Sequence, residues 1–212
     1  MKAWQFASAS PTVEKNLKLN TSAPLPAGST SLPADRILVQ VLAVSLNPVD
    51  HKLPEIPLLG RLITGSPATP SIDYAGRVVA TGPISKKVSS TDLKLGQLVF
   101  GRLDRPTKFG TLAEYTIAPR AGCAPIPSGV SVMDATCAAT AALTAYQSII
   151  PKIKGAAGKR VFINGGSGGT GTFGIQIAKA AGCHVTTSCS GANVGLCESL
   201  GADTVIDYPL CH

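Results

Sequence analysis

Five glycines fall within the eight residues Asn164-Gly-Gly-Ser-Gly-Gly-Thr-Gly171, and a turn so bare of side chains suits one kind of chemistry. Backbone N–H groups can close on a phosphate only where no Cβ intervenes. Gly166, Gly168 and Gly171 form a G-x-G-x-x-G pattern, while Gly165 and Gly169 leave a second register open. Gly166, Ser167, Gly168, Gly169, Thr170 and Gly171 are therefore the candidate contacts to a dinucleotide pyrophosphate. A glycine-rich loop can also be purely structural, so its context matters. The apolar run Val161-Phe-Ile163 precedes it as a strand, and Phe173, Ile175, Ile177 and Ala178 follow at helical spacing. A second strand is expected at His184–Ser188, completing a βαβ unit. The helix would aim its free N–H groups and positive dipole end at the phosphates.

A second chemical signal lies where that second strand ends. Folds that select NAD place an acid there, about 20 residues beyond the glycines, to hold the ribose 2′-hydroxyl. Here the run is Ser188-Cys-Ser-Gly-Ala-Asn193, with no acid before Glu198. Without that carboxylate a 2′-phosphate is not repelled, which favours NADPH, and Ser190 is the candidate to bond it. No Lys or Arg occurs from Ser188 to Tyr208, so the preference over NADH is expected to be modest.

These residues need a scaffold. Residues 1–125 read as β-rich, with strands expected at Ala3–Phe6, Arg36–Val44, Ala75–Thr81, Gln97–Phe100 and Leu112–Ile117. Proline and glycine runs such as PLPAGSTSLPAD and TGSPATP punctuate them, as in a small barrel or partly open β fold. A small-residue helix is expected from Met133 to Ile150, with Pro151 stopping it. A turn at 155–158 leads into the cofactor strand. Beyond the glycine turn come helix Val194–Leu200, a stop at Gly201 and strand Thr204–Ile206. This is about one half of a doubly wound sheet, which leaves an exposed parallel edge strand. Another chain or a longer version of the protein is expected to cover it.

Composition narrows the classes. Hydrophobic residues at 44% and charged residues at 15% describe an ordinary globular chain. The net charge of +7 comes from scattered residues, Lys86-Lys87, Arg102, Arg105, Lys108 and Lys159-Arg160 among them, with aromatics at only 5%. That is no nucleic-acid face. The six cysteines make no C-x-x-C pair, and neither a secretory leader nor a membrane span is legible, so a cytoplasmic protein with reduced thiols is expected.

The motifs Ser45-Leu-Asn-Pro-Val-Asp50, Asp73-Tyr-Ala-Gly76, Gly110-Thr-Leu-Ala-Glu-Tyr115, Ala142-Leu-Thr-Ala-Tyr146, Asn164 to Gly171 and Ser199-Leu-Gly-Ala-Asp203 occur in a specific order. In that order the chain resembles the N-terminal part of a medium-chain dehydrogenase/reductase, of the zinc-free quinone oxidoreductase and enoyl reductase branch. The resemblance implies an α/β protein. A GroES-like β-rich domain (1–125) would precede a partial Rossmann domain (126–212), with the active site in the cleft between them. The family's last hundred-odd residues, which carry a dimer interface in several relatives, have no counterpart here. Tyr208 falls where related reductases contact the cofactor phosphate.

Zinc-dependent relatives carry a Cys at the position of Asn47, a His at Ile72 and a Cys near Thr140, so the resemblance implies no metal. Hydride delivery to an already electrophilic quinone or α,β-unsaturated carbonyl is then expected. Asn47 would donate to the substrate carbonyl and Thr144 would orient the nicotinamide carboxamide. Each also has a plainer reading, Asn47 as a turn residue before Pro48 and Thr144 as a helix-surface residue. Tyr74 reads as a proton donor or, more simply, a packing residue, and His51 as a surface one. Ser71 stands where the family has a glycine. The alternatives to a free-standing NADPH-dependent reductase are a non-catalytic nucleotide-binding relative and a trans-acting enoyl reductase serving a polyketide synthase.

Overall fold

The computed structural model describes residues 1–85, 93–153 and 158–208. Within these, the chain divides into two compact units, 1–139 and 140–212. The expected turn at 155–158 lies, except for Gly158, outside the described residues, as do Lys86 and Lys87.

The first unit holds strands β1 (Ala3–Gln5), β2 (Lys18–Asn20), β3 (Arg36–Ala43), β4 (Asp73–Thr81), β5 (Leu98–Arg102), β6 (Tyr115–Pro119) and β7 (Cys123–Pro125). Five of them form an antiparallel sheet in the order β6-β3-β4-β5-β7, and β1 pairs with β2 separately. Alternation in β3 turns Ile37 and Val39 inward, onto Ile72, Tyr74, Val78 and Val99. Each such side chain contributes about 1.5–3 kcal/mol on burial. Three short helices, α1 (Val13–Asn16), α2 (Pro48–Lys52) and α3 (Leu59–Thr64), lie between the strands.

Several expected boundaries shift by one or two residues, and two shift by three. Leu112 and Glu114 do not begin β6. Trp4 N–H donates to the Leu112 carbonyl at 3.0 Å and Glu114 N–H to the Lys2 carbonyl at 3.0 Å, so this segment bonds beside β1 first. Helix α4 (Val132–Ile153) runs through Pro151, which was expected to stop it. Proline removes a single N–H, and the described residues stay helical through Ile153 despite that loss.

The second unit contains most of α4, then β8 (Arg160–Ile163), α5 (Gly169–Ala180), β9 (His184–Cys189), α6 (Val194–Ser199) and β10 (Thr204–Asp207). The three strands are parallel in the order β10-β9-β8, the expected βαβαβ half. Ile175 and Ala178 of α5 pack with Val185 and Cys197 in its core. Among the described residues β8 pairs only with β9, and Phe162 on it is 60% exposed where a central parallel strand would be buried. No helix among the described residues is long and apolar enough to cross a membrane.

Candidate functional site

The glycine turn resolves its own register through sterics. A Cβ on Gly171 would fall on the Gly165 carbonyl oxygen and 2.8 Å from Gly166 Cα. One on Gly166 would fall on the Thr187 hydroxyl. Gly165 has φ +74°, a conformation that favours glycine, whereas Gly169 faces open space. Gly166 and Gly171 therefore allow the close packing of turn, helix and second strand. Gly168 is the N-cap of α5, extended at φ −77° and ψ 163°, so Gly169, Thr170 and Gly171 form the first helical turn. Their N–H groups precede the intrahelical ladder and are placed to meet an anion.

The turn is tied to β9. Gly166 N–H donates to the Ser188 carbonyl at 2.9 Å, and Gly165 N–H to Ser188 Oγ at 3.2 Å. Ser188 Oγ in turn donates to Asn164 Oδ1 at 2.7 Å, and Thr187 Oγ1 to the Ile163 carbonyl at 2.7 Å. A depression of about 730 Å³ runs from Asn164, Gly165 and Gly168 along β8 to Lys152 on α4. It is large enough for part of a nucleotide.

At the end of β9, Asn193 Nδ2 donates to Ser190 Oγ at 3.0 Å, which leaves the serine hydroxyl proton to point elsewhere. Tyr208 follows β10 and is 57% exposed. Thr144 lies on the exposed side of α4, one turn before Ser148, whose hydroxyl donates to the Thr144 carbonyl at 2.8 Å.

Asn47 belongs to the first unit and is the N-cap of α2, with Pro48 at the first helical position. Its side-chain Nδ2 donates to Asp73 Oδ2 at 2.9 Å, and Ser45 Oγ donates to the same oxygen at 3.1 Å. One of the two amide hydrogens expected for a substrate carbonyl is thus committed to Asp73. Asn47 N–H donates to Asp50 Oδ2 at 2.7 Å. Burial pushes the Asp50 carboxyl up to about 6, with the nearby Asp73 carboxylate adding to the rise and the Asn47 N–H opposing it. A cavity of about 400 Å³ borders Asn47, Asp50 and His51, with Val13, Leu17 and Leu46 as apolar walls.

Three other residues fall into place. Tyr74 is fully buried in the sheet core, where burial and the Cys123 thiol beside it hold its hydroxyl protonated, so it packs. His51 is exposed, 3.3 Å from Glu55 Oε2. Ser71 adopts φ +73°, the conformation for which a glycine would be the easy choice. Its hydroxyl donates to the Ser45 carbonyl at 3.0 Å and accepts from Thr111 Oγ1 at 2.8 Å, which holds it there.

Sequence reasoning did not single out Asp73, Asn164 or Asp207. A carboxylate opening a strand as apolar as Asp73–Ala80 was the available signal for the first. For Asn164 and Asp207 no local pattern announces a contact made across the sheet.

Residues 33–128 match the alcohol dehydrogenase GroES-like domain family. The chain is 69% identical over 208 residues, 98% of its length, to the trans-enoyl reductase pgmF of Aspergillus terreus. It is 32% identical over 98% of its length to an NADPH-dependent alkenal/one oxidoreductase of Arabidopsis thaliana. Among solved structures it superposes on the quinone oxidoreductase from Coxiella burnetii with a TM-score of 0.78 at 29% identity, covering 99% of this chain and 62% of that one. It covers 58% and 52% of the two relatives' lengths. The chain thus carries a GroES-like domain followed by a Rossmann-type parallel sheet, and is a homologue of quinone oxidoreductases and trans-enoyl reductases.

Proposed function

We propose that this chain forms the GroES-like domain and the nucleotide-binding half of a zinc-independent, NADPH-dependent reductase that acts on the conjugated double bond of an enoyl substrate. The observation that carries the reading is the turn in which Gly166 and Gly171 leave no room for a Cβ beneath the first turn of α5. That turn has the shape and polarity for a pyrophosphate. NADPH, when bound, supplies the hydride. The N–H groups at the start of α5 would hold the phosphates, and Ser190 and Tyr208 carry the hydroxyls available to a 2′-phosphate.

The enoyl substrate is favoured over a free quinone by the 69% identity to a trans-enoyl reductase. A carrier-tethered chain delivered by a polyketide synthase is the form such a substrate would take. Asn47, held by Asp73, retains one amide hydrogen for a substrate carbonyl, and Thr144 offers an exposed hydroxyl to the nicotinamide carboxamide. The zinc-independent part of the reading is supported by the family resemblance, which puts the metal ligands of zinc-dependent relatives at Asn47, at Ile72 and near Thr140, and none of these three is a usual zinc ligand.

The test is a fluorescence titration with NADPH and NADH on the cooperatively melting chain, followed by turnover with a quinone, a simple enone and an enoyl thioester. Saturable NADPH binding with turnover of the thioester supports the reading. A folded chain that binds neither nucleotide would overturn it.

A further inference from the structure

We propose that Asp207 controls how the site treats the 2′ position of the adenosine ribose, acting as a built-in counterweight to NADPH preference. The inference rests on the dinucleotide reading of the glycine turn and adds a determinant to it. Strands β9 and β10 are parallel and in register, with Asp207 opposite Cys189, so their carboxyl ends stop side by side. The chain then turns through Ser190 and Gly191. A Cβ on Gly191 would lie 2.6 Å from Asp207 Oδ2, so the carboxylate rests directly against this turn. Glycine at 191 makes the approach possible.

In folds of this type the end of the second strand is where the ribose is read, commonly by an acid on that strand itself. Here the second strand has none, but the neighbouring strand carries one to the same turn. A ribose 2′-hydroxyl can donate to a carboxylate, whereas a 2′-phosphate is an anion that a carboxylate repels. Against that repulsion the turn sets the Ser190 hydroxyl, freed to donate by the bond it accepts from Asn193, and the exposed Tyr208. The segment Ser188 to Tyr208, which forms this turn and its flanks, contains no Lys or Arg of its own. Asp207 therefore holds NADH and NADPH affinities close together, and removing its charge releases the NADPH preference.

The experiment is a titration of the unaltered chain and of D207N with both nucleotides. The expected result is that the ratio of NADH to NADPH dissociation constants rises about tenfold in D207N, one tenfold step being about 1.4 kcal/mol. An unchanged ratio, with both nucleotides still binding, would overturn this inference alone. A folded, unaltered chain that binds neither nucleotide would overturn the dinucleotide reading and this inference with it.

A second measurement needs no variant. Adenosine 2′,5′-bisphosphate and AMP are titrated against the unaltered chain at rising salt. If a carboxylate dominates the subsite, the increment due to the 2′-phosphate holds or grows as repulsion is screened. A steep fall in that increment would mean that a cation dominates, and the proposal would fail.

Discussion

Ser188 donates its hydroxyl to Asn164 Oδ1 at 2.7 Å while accepting from the Gly165 N–H at 3.2 Å, so one side chain on β9 holds two consecutive residues at the start of the glycine turn. The Ser188 carbonyl adds a third bond, from Gly166 N–H at 2.9 Å. Replacing Ser188 by Ala keeps the third and deletes the first two. The expected cost is about 1–2 kcal/mol in urea unfolding. NADPH affinity should fall about three- to tenfold as the turn loosens. A variant with full affinity and lower stability would show that the bond serves folding alone.

The glycines of the turn divide by what a methyl group would meet. At Gly171 it meets the Gly165 carbonyl and the Gly166 Cα, and at Gly169 nothing. Gly171→Ala should therefore destabilise the chain by about 1–3 kcal/mol through overpacking, with loss of nucleotide binding. Gly169→Ala should leave the melting temperature unchanged or slightly raised, because alanine is the better helix former. Equal effects from the two substitutions would contradict the steric reading of the register.

The part of the fold that depends on local pattern was legible. Ile37 and Val39 alternate as a strand must, and Ile175 and Ala178 share a helix face, so β3 and α5 could be read directly. The glycine turn announced itself in the same way. What could not be read depends on contacts distant in sequence. The segment from Leu112 to Glu114 looks like the start of a strand, yet its partners are Trp4 and Lys2, more than a hundred residues away. Ser71 stands where the resemblance calls for a glycine, and only its bonds to Ser45 and Thr111 show how φ +73° is held. Asp207 is one acid among several until β10 pairs with β9 and brings it to Gly191.

Asp50 should leave a mark on the pH dependence of stability. Its carboxyl is raised to about 6 in the folded chain, chiefly by burial, from an ordinary value of 3.8. Between those values the folded state holds the proton more tightly than the unfolded state. Its contribution is thus fully present below about pH 4 and is lost as pH rises through 6. Asp50→Asn keeps an oxygen for the Asn47 N–H and removes the ionisation. The variant should be more stable than the parent by about 1–3 kcal/mol at pH 7.5, with the gap closing towards pH 4. Denaturant titrations of both at pH 4.5, 6 and 7.5 measure this. A gap that does not depend on pH would mean that Asp50 ionises normally.

Asn47 and Ser45 donate to the same oxygen of Asp73, at 2.9 and 3.1 Å, which allows anchoring to be separated from chemistry. Ser45→Ala and Asn47→Ala each remove one bond to a buried carboxylate, so both should lower stability by about 1.5–3 kcal/mol. Only Asn47 is expected to reach the substrate carbonyl with its second amide hydrogen. Asn47→Ala should therefore lower kcat for an enoyl thioester about tenfold or more, the range for loss of one charge-stabilising donor. Ser45→Ala should stay within about threefold of the parent. NADPH affinity should be unchanged in both, since the glycine turn belongs to the other compact unit. Should the two variants lose turnover equally, Asn47 acts only by capping α2 and bracing Asp73, and the donor to the carbonyl must be sought elsewhere.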